Sequence, residues 1–104
     1  MEQAFFALKR HCNGLGLVHG GMISAFLDGL LASAVGRATH ATPVTIHLSI
    51  DFLAMGRAGE WLIGESRLTR AAKDVAFAEG ALRVGECPIA RATGVFRLMR
   101  PRNL

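Results

Sequence analysis

Residues 20–36 read GGMISAFLDGLLASAVG, and this stretch determines which fold the chain can adopt. Its apolar and small side chains predict a helix from residue 20 to about 37 that is buried on nearly all sides. Asp28 is the only ionisable residue within it. A carboxylate in such a helix costs several kcal/mol unless it is paired, solvated or protonated. Asp28 is therefore a candidate functional residue, and the alternative is that it caps a neighbouring loop by accepting backbone N–H bonds.

The segment that leads into this helix is rich in glycine, since residues 13–21 read NGLGLVHGG. Backbone N–H groups at a helix N-terminus can stabilise a developing negative charge. A lone acidic side chain on the helix, together with such N–H groups at its start, indicates hydrolysis of an acyl group.

Length and composition predict one domain that associates with a second copy. The chain has 104 residues, of which 51% are hydrophobic, and its mean hydropathy is +0.33. A domain of this size buries limited surface, so part of the apolar surface is expected to lie against a partner subunit. The longest uncharged run is too short and too rich in glycine for a membrane span. The start shows no secretory signal, and Cys12 and Cys87 fit free thiols of a cytoplasmic protein.

The net charge of +4 raises the possibility of an acidic partner. The basic residues are scattered, however, and no aromatic stacking pattern accompanies them, so we expect no nucleic-acid partner. His40 and His47 have no partner at the spacing of metal ligands, so we expect no metal either.

The rest of the chain is predicted to form strands. After the helix, apolar and polar residues alternate, which indicates a strand with one buried face and one polar face. The apolar set is Val44, Ile46, Leu48, Ile50 and Phe52, and the polar set is Thr45, His47, Ser49 and Asp51. Further strands are predicted at 60–70, 75–84 and 89–99, with a short first strand at 4–10.

Two of these strands carry small residues on one face, which leaves room for a helix to lie close against them. These faces read Ala76, Ala78, Gly80, Leu82 and Ala90, Ala92, Gly94, Phe96, Leu98. The pattern favours a long antiparallel sheet wrapped around one apolar helix, an α+β fold. The opposite face of the sheet is predicted to be charged and to face solvent or another subunit, with Glu65, Arg67, Glu79, Arg83, Arg91 and Arg97.

The spacing of the polar residues resembles a known family. The pattern begins with Asn13, continues six residues later with His19-Gly20-Gly21, and reaches Asp28 within the helix. The alternating strand then follows and ends Ile50-Asp51-Phe52-Leu53. This pattern resembles the hotdog-fold acyl-CoA thioesterases, in particular the phenylacetic-acid-pathway branch of the 4-hydroxybenzoyl-CoA thioesterase superfamily. The resemblance runs from about Phe5 to Met99. It implies a cytoplasmic homodimer or homotetramer that hydrolyses acyl-CoA to a free acid and coenzyme A without a cofactor.

The resemblance also implies roles for individual residues. Asp28 would act as nucleophile or as general base on a water, and the N–H of Gly20 or Gly21 would stabilise the oxyanion. Asn13 would orient the water or the thioester oxygen, and Thr45 would hydrogen-bond near Asp28. In the family, Asn13 and Gly20 of one subunit meet Asp28 and Thr45 of the other. Substrate binding would involve His19 and, for the coenzyme A phosphates, Arg57, Arg70 and Lys73.

Each of these residues also has a plain structural interpretation. Asn13 is a common turn residue, Thr45 suits a strand, and His19 can hold the loop through its ring. The basic residues can be scattered surface charge. Family members usually have a helix and an extra strand before the Asn, so the N-terminal part of this single domain, residues 1–104, is expected to be shortened.

Two other functions remain open. One is a non-catalytic acyl-CoA-binding or regulatory protein with the same fold. The other is a hotdog dehydratase or hydratase, whose usual His-centred helix motif is absent from this sequence.

Overall fold

One long helix and five strands are seen in the computed structural model, which describes residues 2–100. In chain order they are β1 (Glu2–Phe6), a one-turn 3-10 helix (Lys9–His11), α1 (Gly20–Thr39), β2 (Thr42–Phe52), β3 (Trp61–Ala71), β4 (Val75–Val84) and β5 (Cys87–Met99). The strands form one sheet in the order β1-β3-β4-β5-β2, and every neighbouring pair is antiparallel. The long antiparallel sheet packed against one helix is therefore confirmed.

Several element boundaries differ from the predicted ones, and β5 begins at Cys87 instead of residue 89. The first strand ends at Phe6, which pairs with the first residue of β3, Trp61, and the chain then turns into the 3-10 helix instead of continuing to residue 10. The helix α1 extends to Thr39, two residues beyond the prediction. It ends because His40 adopts a left-handed conformation with φ of 57° and donates its backbone N–H to the helix.

Glycines of the sheet let α1 lie close to it. A Cβ atom on Gly64 would stand 2.7 Å from a methyl carbon of Leu30, and one on Gly80 would stand 2.8 Å from Leu31. A Cβ atom on Gly94 would stand 3.1 Å from Leu31. Real Cβ atoms essentially never come within 3.0 Å of another atom, so a side chain on Gly64 or Gly80 would displace these leucines, and one on Gly94 would press against Leu31. The small residues on β4 and β5 thus leave room for α1, as predicted.

The predicted strict alternation of β2 is wrong at one point. A β-bulge interrupts the pairing of β2 with β5 between Thr45 and His47, so that Ile46 is the extra residue. Side chains before the bulge therefore lie on the opposite face from the one predicted. Thr45 is paired with Phe96, which faces the helix, whereas Val44 belongs to the outer face.

The outer face of the sheet is charged, as predicted. Arg67 pairs with Glu79, Arg91 donates to Asp51 at 2.9 Å, and Arg83 lies 3.5 Å from a carboxylate oxygen of Glu65. A depression of about 580 Å³ opens on this face. The pairs are exposed, so each contributes little to the free energy of unfolding.

Two features are missing from residues 2–100. Within this range, no helix combines the length and the apolar character that crossing a membrane requires. Nor do three or more His, Cys, Asp or Glu side chains of this part of the chain come together in a group that could hold a metal ion.

Candidate active site

Asp28 lies on the strip of α1 that the sheet leaves uncovered, and its side chain is half-buried. The hydroxyl of Thr45 on β2 donates a hydrogen bond to Asp28 Oδ1 at 2.7 Å. A hydroxyl–carboxylate bond of this length is charge-assisted and fixes the orientation of the carboxylate. The bulge in β2 makes the contact possible, because it turns Thr45 toward the helix. The recorded partner of Asp28 within residues 2–100 is thus a side-chain hydroxyl and not the backbone of a loop.

Small residues surround the carboxylate on the exposed strip. Gly21, Ala25 and Gly29 are exposed, and Ala32 is half-buried. A Cβ atom on Gly21 or Gly29 would meet no other atom within 4 Å. Residues three or four positions apart lie on the same side of a helix, so these side chains leave open space beside Asp28. A substrate or the backbone of another chain can therefore approach the carboxylate.

The start of α1 provides two unpaired backbone donors. His19 is the N-cap residue, and its carbonyl accepts the N–H of Met22 at 3.0 Å and of Ile23 at 3.2 Å. Within residues 2–100, the N–H groups of Gly20 and Gly21 have no recorded acceptor. The His19 side chain makes no capping hydrogen bond. The N-terminus of α1 therefore retains two N–H groups that can bind an anionic oxygen.

Asn13 holds the loop before the helix and still has a donor to offer. Its Oδ1 accepts the N–H of Leu15 at 2.9 Å and of Leu17 at 3.2 Å, which is the turn-stabilising role that asparagine often has. Its side-chain NH₂ has no recorded partner in the part of the chain that the structure describes. The structural role of Asn13 and its predicted functional role are therefore compatible.

An apolar surface that was not predicted from the sequence borders the start of α1. A Cβ atom on Gly20 would lie 3.6 Å from the ring of Phe52, which is 55% exposed. Leu53, Met55 and Leu15 are also exposed nearby in the chain, Leu15 to 82%. Exposed apolar side chains in such number indicate a surface that is covered by a ligand or another chain. The available signal was the apolar pair Phe52-Leu53 at the end of the alternating strand.

The predicted basic residues do not come together in one chain. Arg57 forms a β-bridge with Leu17, close to the start of α1. Arg70 lies at the far end of β3, and Lys73 follows in the next turn. A strand rises about 3.3 Å per residue, so the length of β3 separates Arg57 from Lys73 by roughly 30 Å.

The acid and the N–H donors are also apart. Asp28 lies eight residues after Gly20, and a helix rises 1.5 Å per residue, so they are about 12 Å apart along the axis. A base and an oxyanion donor that act on one carbonyl group must each lie roughly 3 Å from the reacting atoms. A single chain therefore keeps two sets of groups apart, one with Asn13, Gly20 and Gly21 and the other with Asp28 and Thr45, and we call them the two halves of the candidate site.

Comparison with known proteins gives a consistent picture. The family model described as "Thioesterase superfamily" matches residues 15–89. A Pseudomonas aeruginosa protein that is named a putative esterase is 39% identical over 92 residues, which are 86% of this chain and 69% of that protein.

Two solved structures are similar throughout the sheet and helix. The structure of a phenylacetic acid degradation-related protein from Ralstonia eutropha has a TM-score of 0.86 and 31% identity, covering 93% of this chain and 74% of that one. The structure of a Bacillus halodurans protein with CoA has a TM-score of 0.87 and 25% identity, covering 97% and 68%. The predicted resemblance and fold class are confirmed.

Proposed function

This chain belongs to the thioesterase superfamily and has the hotdog fold, and from this premise we propose that it hydrolyses an acyl-CoA thioester to a free acid and coenzyme A. The observation that carries the proposal is the pairing of Asp28 with Thr45 on an exposed helical strip of small residues. The CoA bound to the Bacillus halodurans relative supports coenzyme A as the carrier of the acyl group.

Asp28 supplies the reactive oxygen or the base. As general base, its carboxylate takes a proton from a water whose oxygen bonds to the thioester carbonyl carbon. As nucleophile, the carboxylate forms that bond itself, and water then hydrolyses the mixed anhydride. In both cases the C–S bond breaks and the thiolate of coenzyme A leaves and takes up a proton. The hydroxyl of Thr45 holds Oδ1 and leaves Oδ2 to face the substrate.

The start of α1 stabilises the charge that develops on the carbonyl oxygen. The N–H groups of Gly20 and Gly21 are unpaired within the described residues and lie at the positive end of the helix. The side-chain NH₂ of Asn13, on the adjacent loop, supplies a further donor to the same oxygen. These groups bind the transition state more tightly than the uncharged thioester, which is what accelerates the reaction.

A second copy of the chain completes the site. The halves are about 12 Å apart in one chain, but a two-fold axis that runs two α1 helices antiparallel brings Gly20 of one copy toward Asp28 of the other. Among residues 2–100, β2 is the last strand of the sheet and pairs only with β5, so its outer edge is open there. Val44 and Ile46 are exposed on this strand, so pairing two β2 edges covers apolar surface and continues the sheet.

The same antiparallel arrangement gathers the basic residues. Arg57 lies near the start of α1, and Arg70 and Lys73 lie at the opposite end of the sheet. In a pair with reversed long axes, Arg57 of one copy lies at the same end as Arg70 and Lys73 of the other. We assign the phosphates of coenzyme A to this rim, with the exposed His19 beside the thioester end, because guanidinium and ammonium groups bind phosphate oxygens.

Purified protein tested on a panel of acyl-CoA thioesters decides the proposal. The panel combines short, long and aromatic acyl groups, and release of the coenzyme A thiol is followed with a thiol reagent. We expect turnover of at least one class well above the uncatalysed rate. Binding of acyl-CoA without hydrolysis of any member of the panel would contradict the proposal and favour a non-catalytic acyl-CoA-binding protein.

A further inference from the structure

His11 lies at the base of the loop that carries Asn13, outside both halves of the active site. We propose that His11 is a positioning residue, whose Nδ1 atom fixes the Asn13 loop and the start of α1 relative to each other. The functional part of this inference rests on the proposed thioesterase activity, because the groups that it positions are the oxyanion donors.

The first observation is a closed turn. The N–H of Leu8 donates to Nδ1 of His11 at 3.0 Å, and the N–H of His11 donates to the carbonyl of Leu8 at 2.9 Å. Leu8 and His11 thus form two reciprocal hydrogen bonds across the 3-10 helix, as in a capping box. Nδ1 can accept this bond only while it carries no proton, so the ring is held in one tautomer.

The second observation is a short antiparallel ladder that begins at His11. The carbonyl of His11 accepts the N–H of His19 at 2.9 Å, Cys12 bridges Val18, and the N–H of Asn13 donates to the carbonyl of Leu17 at 2.9 Å. His19 directly precedes Gly20. A shift of His11 is therefore passed to the Asn13 side chain on one strand of the ladder and to the helix N–H groups on the other.

The third observation connects the loop to the body of the helix. The His11 ring meets the ring of Phe5 edge-on, with centroids 5.9 Å apart, and Phe5 packs on Phe26 of α1 at 4.7 Å. The acceptor atom of His11 is thus held at a fixed place relative to the core. This matters because displacing a substrate-positioning group by about 1 Å costs roughly a hundredfold in rate.

Two variants separate the acceptor atom from the ring. His11→Asn places an amide oxygen near the position of Nδ1 and removes the ring, whereas His11→Phe keeps the ring against Phe5 and removes the acceptor. We expect His11→Phe to lower kcat by about tenfold or more with little change in KM, and His11→Asn to retain most of the wild-type kcat. The opposite order, or equal activity of both variants and wild type, would overturn the inference.

A double-mutant cycle shows whether His11 acts through Asn13. In the Asn13→Ala background, His11→Phe should cost several-fold less than in wild type, because one of the groups that it positions is already gone. Fully additive losses would mean a general structural effect and would contradict the inference. Thermal unfolding and the oligomeric state of each variant are measured alongside, and His11→Leu replaces His11→Phe if the latter does not fold.

A spectroscopic readout keeps the inference testable apart from activity. In NMR spectra of the amide groups, the signals of the Asn13 side-chain NH₂ and of the Gly20 and Gly21 backbone N–H groups should shift in His11→Phe. The same signals should stay near their wild-type positions in His11→Asn. If wild type hydrolyses no acyl-CoA but the signals behave in this way, positioning holds and the proposed function fails. If the signals of both variants match wild type, His11 does not position these groups.

Discussion

Asp28→Asn is the substitution that bears most directly on the chemistry. It keeps the shape of the side chain but removes both the negative charge and the ability to take a proton or attack a carbonyl. Thioesterase kcat should fall by at least about a hundredfold, the lower range for a lost general base. KM should change little, since the oxyanion donors and the basic rim do not involve this side chain.

The same substitution should leave the fold intact. In the wild type, the hydroxyl of Thr45 donates a hydrogen bond to Asp28 Oδ1 at 2.7 Å. The amide oxygen of the asparagine can accept the same hydrogen bond. A hydrogen bond to a charged group contributes more than one to a neutral group by about 1 kcal/mol. Removal of a half-buried charge offsets part of this loss, so the free energy of unfolding should change by no more than about 1 kcal/mol.

The assay is the release of coenzyme A at saturating acyl-CoA, with urea unfolding of the same preparations. Asp51→Asn is the matched control, because the Asp51 side chain lies on the outer face of the sheet, opposite α1, and pairs with Arg91. It should keep wild-type kcat. If Asp28→Asn retains more than about a tenth of wild-type kcat, the role assigned to Asp28 is wrong. If it unfolds the protein, Asp28 is a structural residue.

Three further predictions follow from the site and its assembly. Thr45→Val removes the donor to Asp28 and should lower kcat about tenfold, whereas Thr45→Ser should restore it; equal rates for the two variants would contradict the orienting role. Light scattering at micromolar concentration should give a dimer or a multiple of it, and a monomer that hydrolyses acyl-CoA would exclude the shared site. Lys73→Ala should raise KM for acyl-CoA and not for the matching pantetheine thioester, and an equal rise for both would place the nucleotide elsewhere.

The central helix was predictable from sequence because its signal is local and dense. Residues 20–36 contain one charge, and the small residues of β4 and β5 match the close approach of α1 that the structure shows. Such signals depend on burial alone, and burial follows directly from side-chain polarity and period. The pattern of apolar and small residues was therefore almost sufficient to predict the fold class.

The bulge in β2 was not predictable in the same way. Thr45 and Ile46 both suit a strand, and the alternation through Phe52 gives no local sign of an extra residue. Its position is set by the pairing of β2 with β5, which is a contact between distant parts of the chain. The bulge nevertheless matters for the candidate site, because it turns the hydroxyl of Thr45 toward Asp28.

The sequence names the candidate site as a set of residues but does not give its geometry. The spacing of Asn13, Gly20 and Asp28 is visible in the sequence, yet the helical rise separates the last two by about 12 Å in one chain. The role proposed for His11 had no sequence signal at all. It depends on a hydrogen bond to the backbone of Leu8 and on a ring contact with Phe5.

Mixing two inactive variants tests most directly whether the thioesterase site is shared between subunits. Asn13→Ala and Asp28→Asn are each expected to have low activity alone, because each removes a group from one half of every site. After equal amounts are unfolded together and refolded, random pairing should restore about a quarter of wild-type activity, since each mixed dimer contains one intact site. A mixture no more active than its two components, although mixed dimers are present, would contradict the shared site and the function that we build on it.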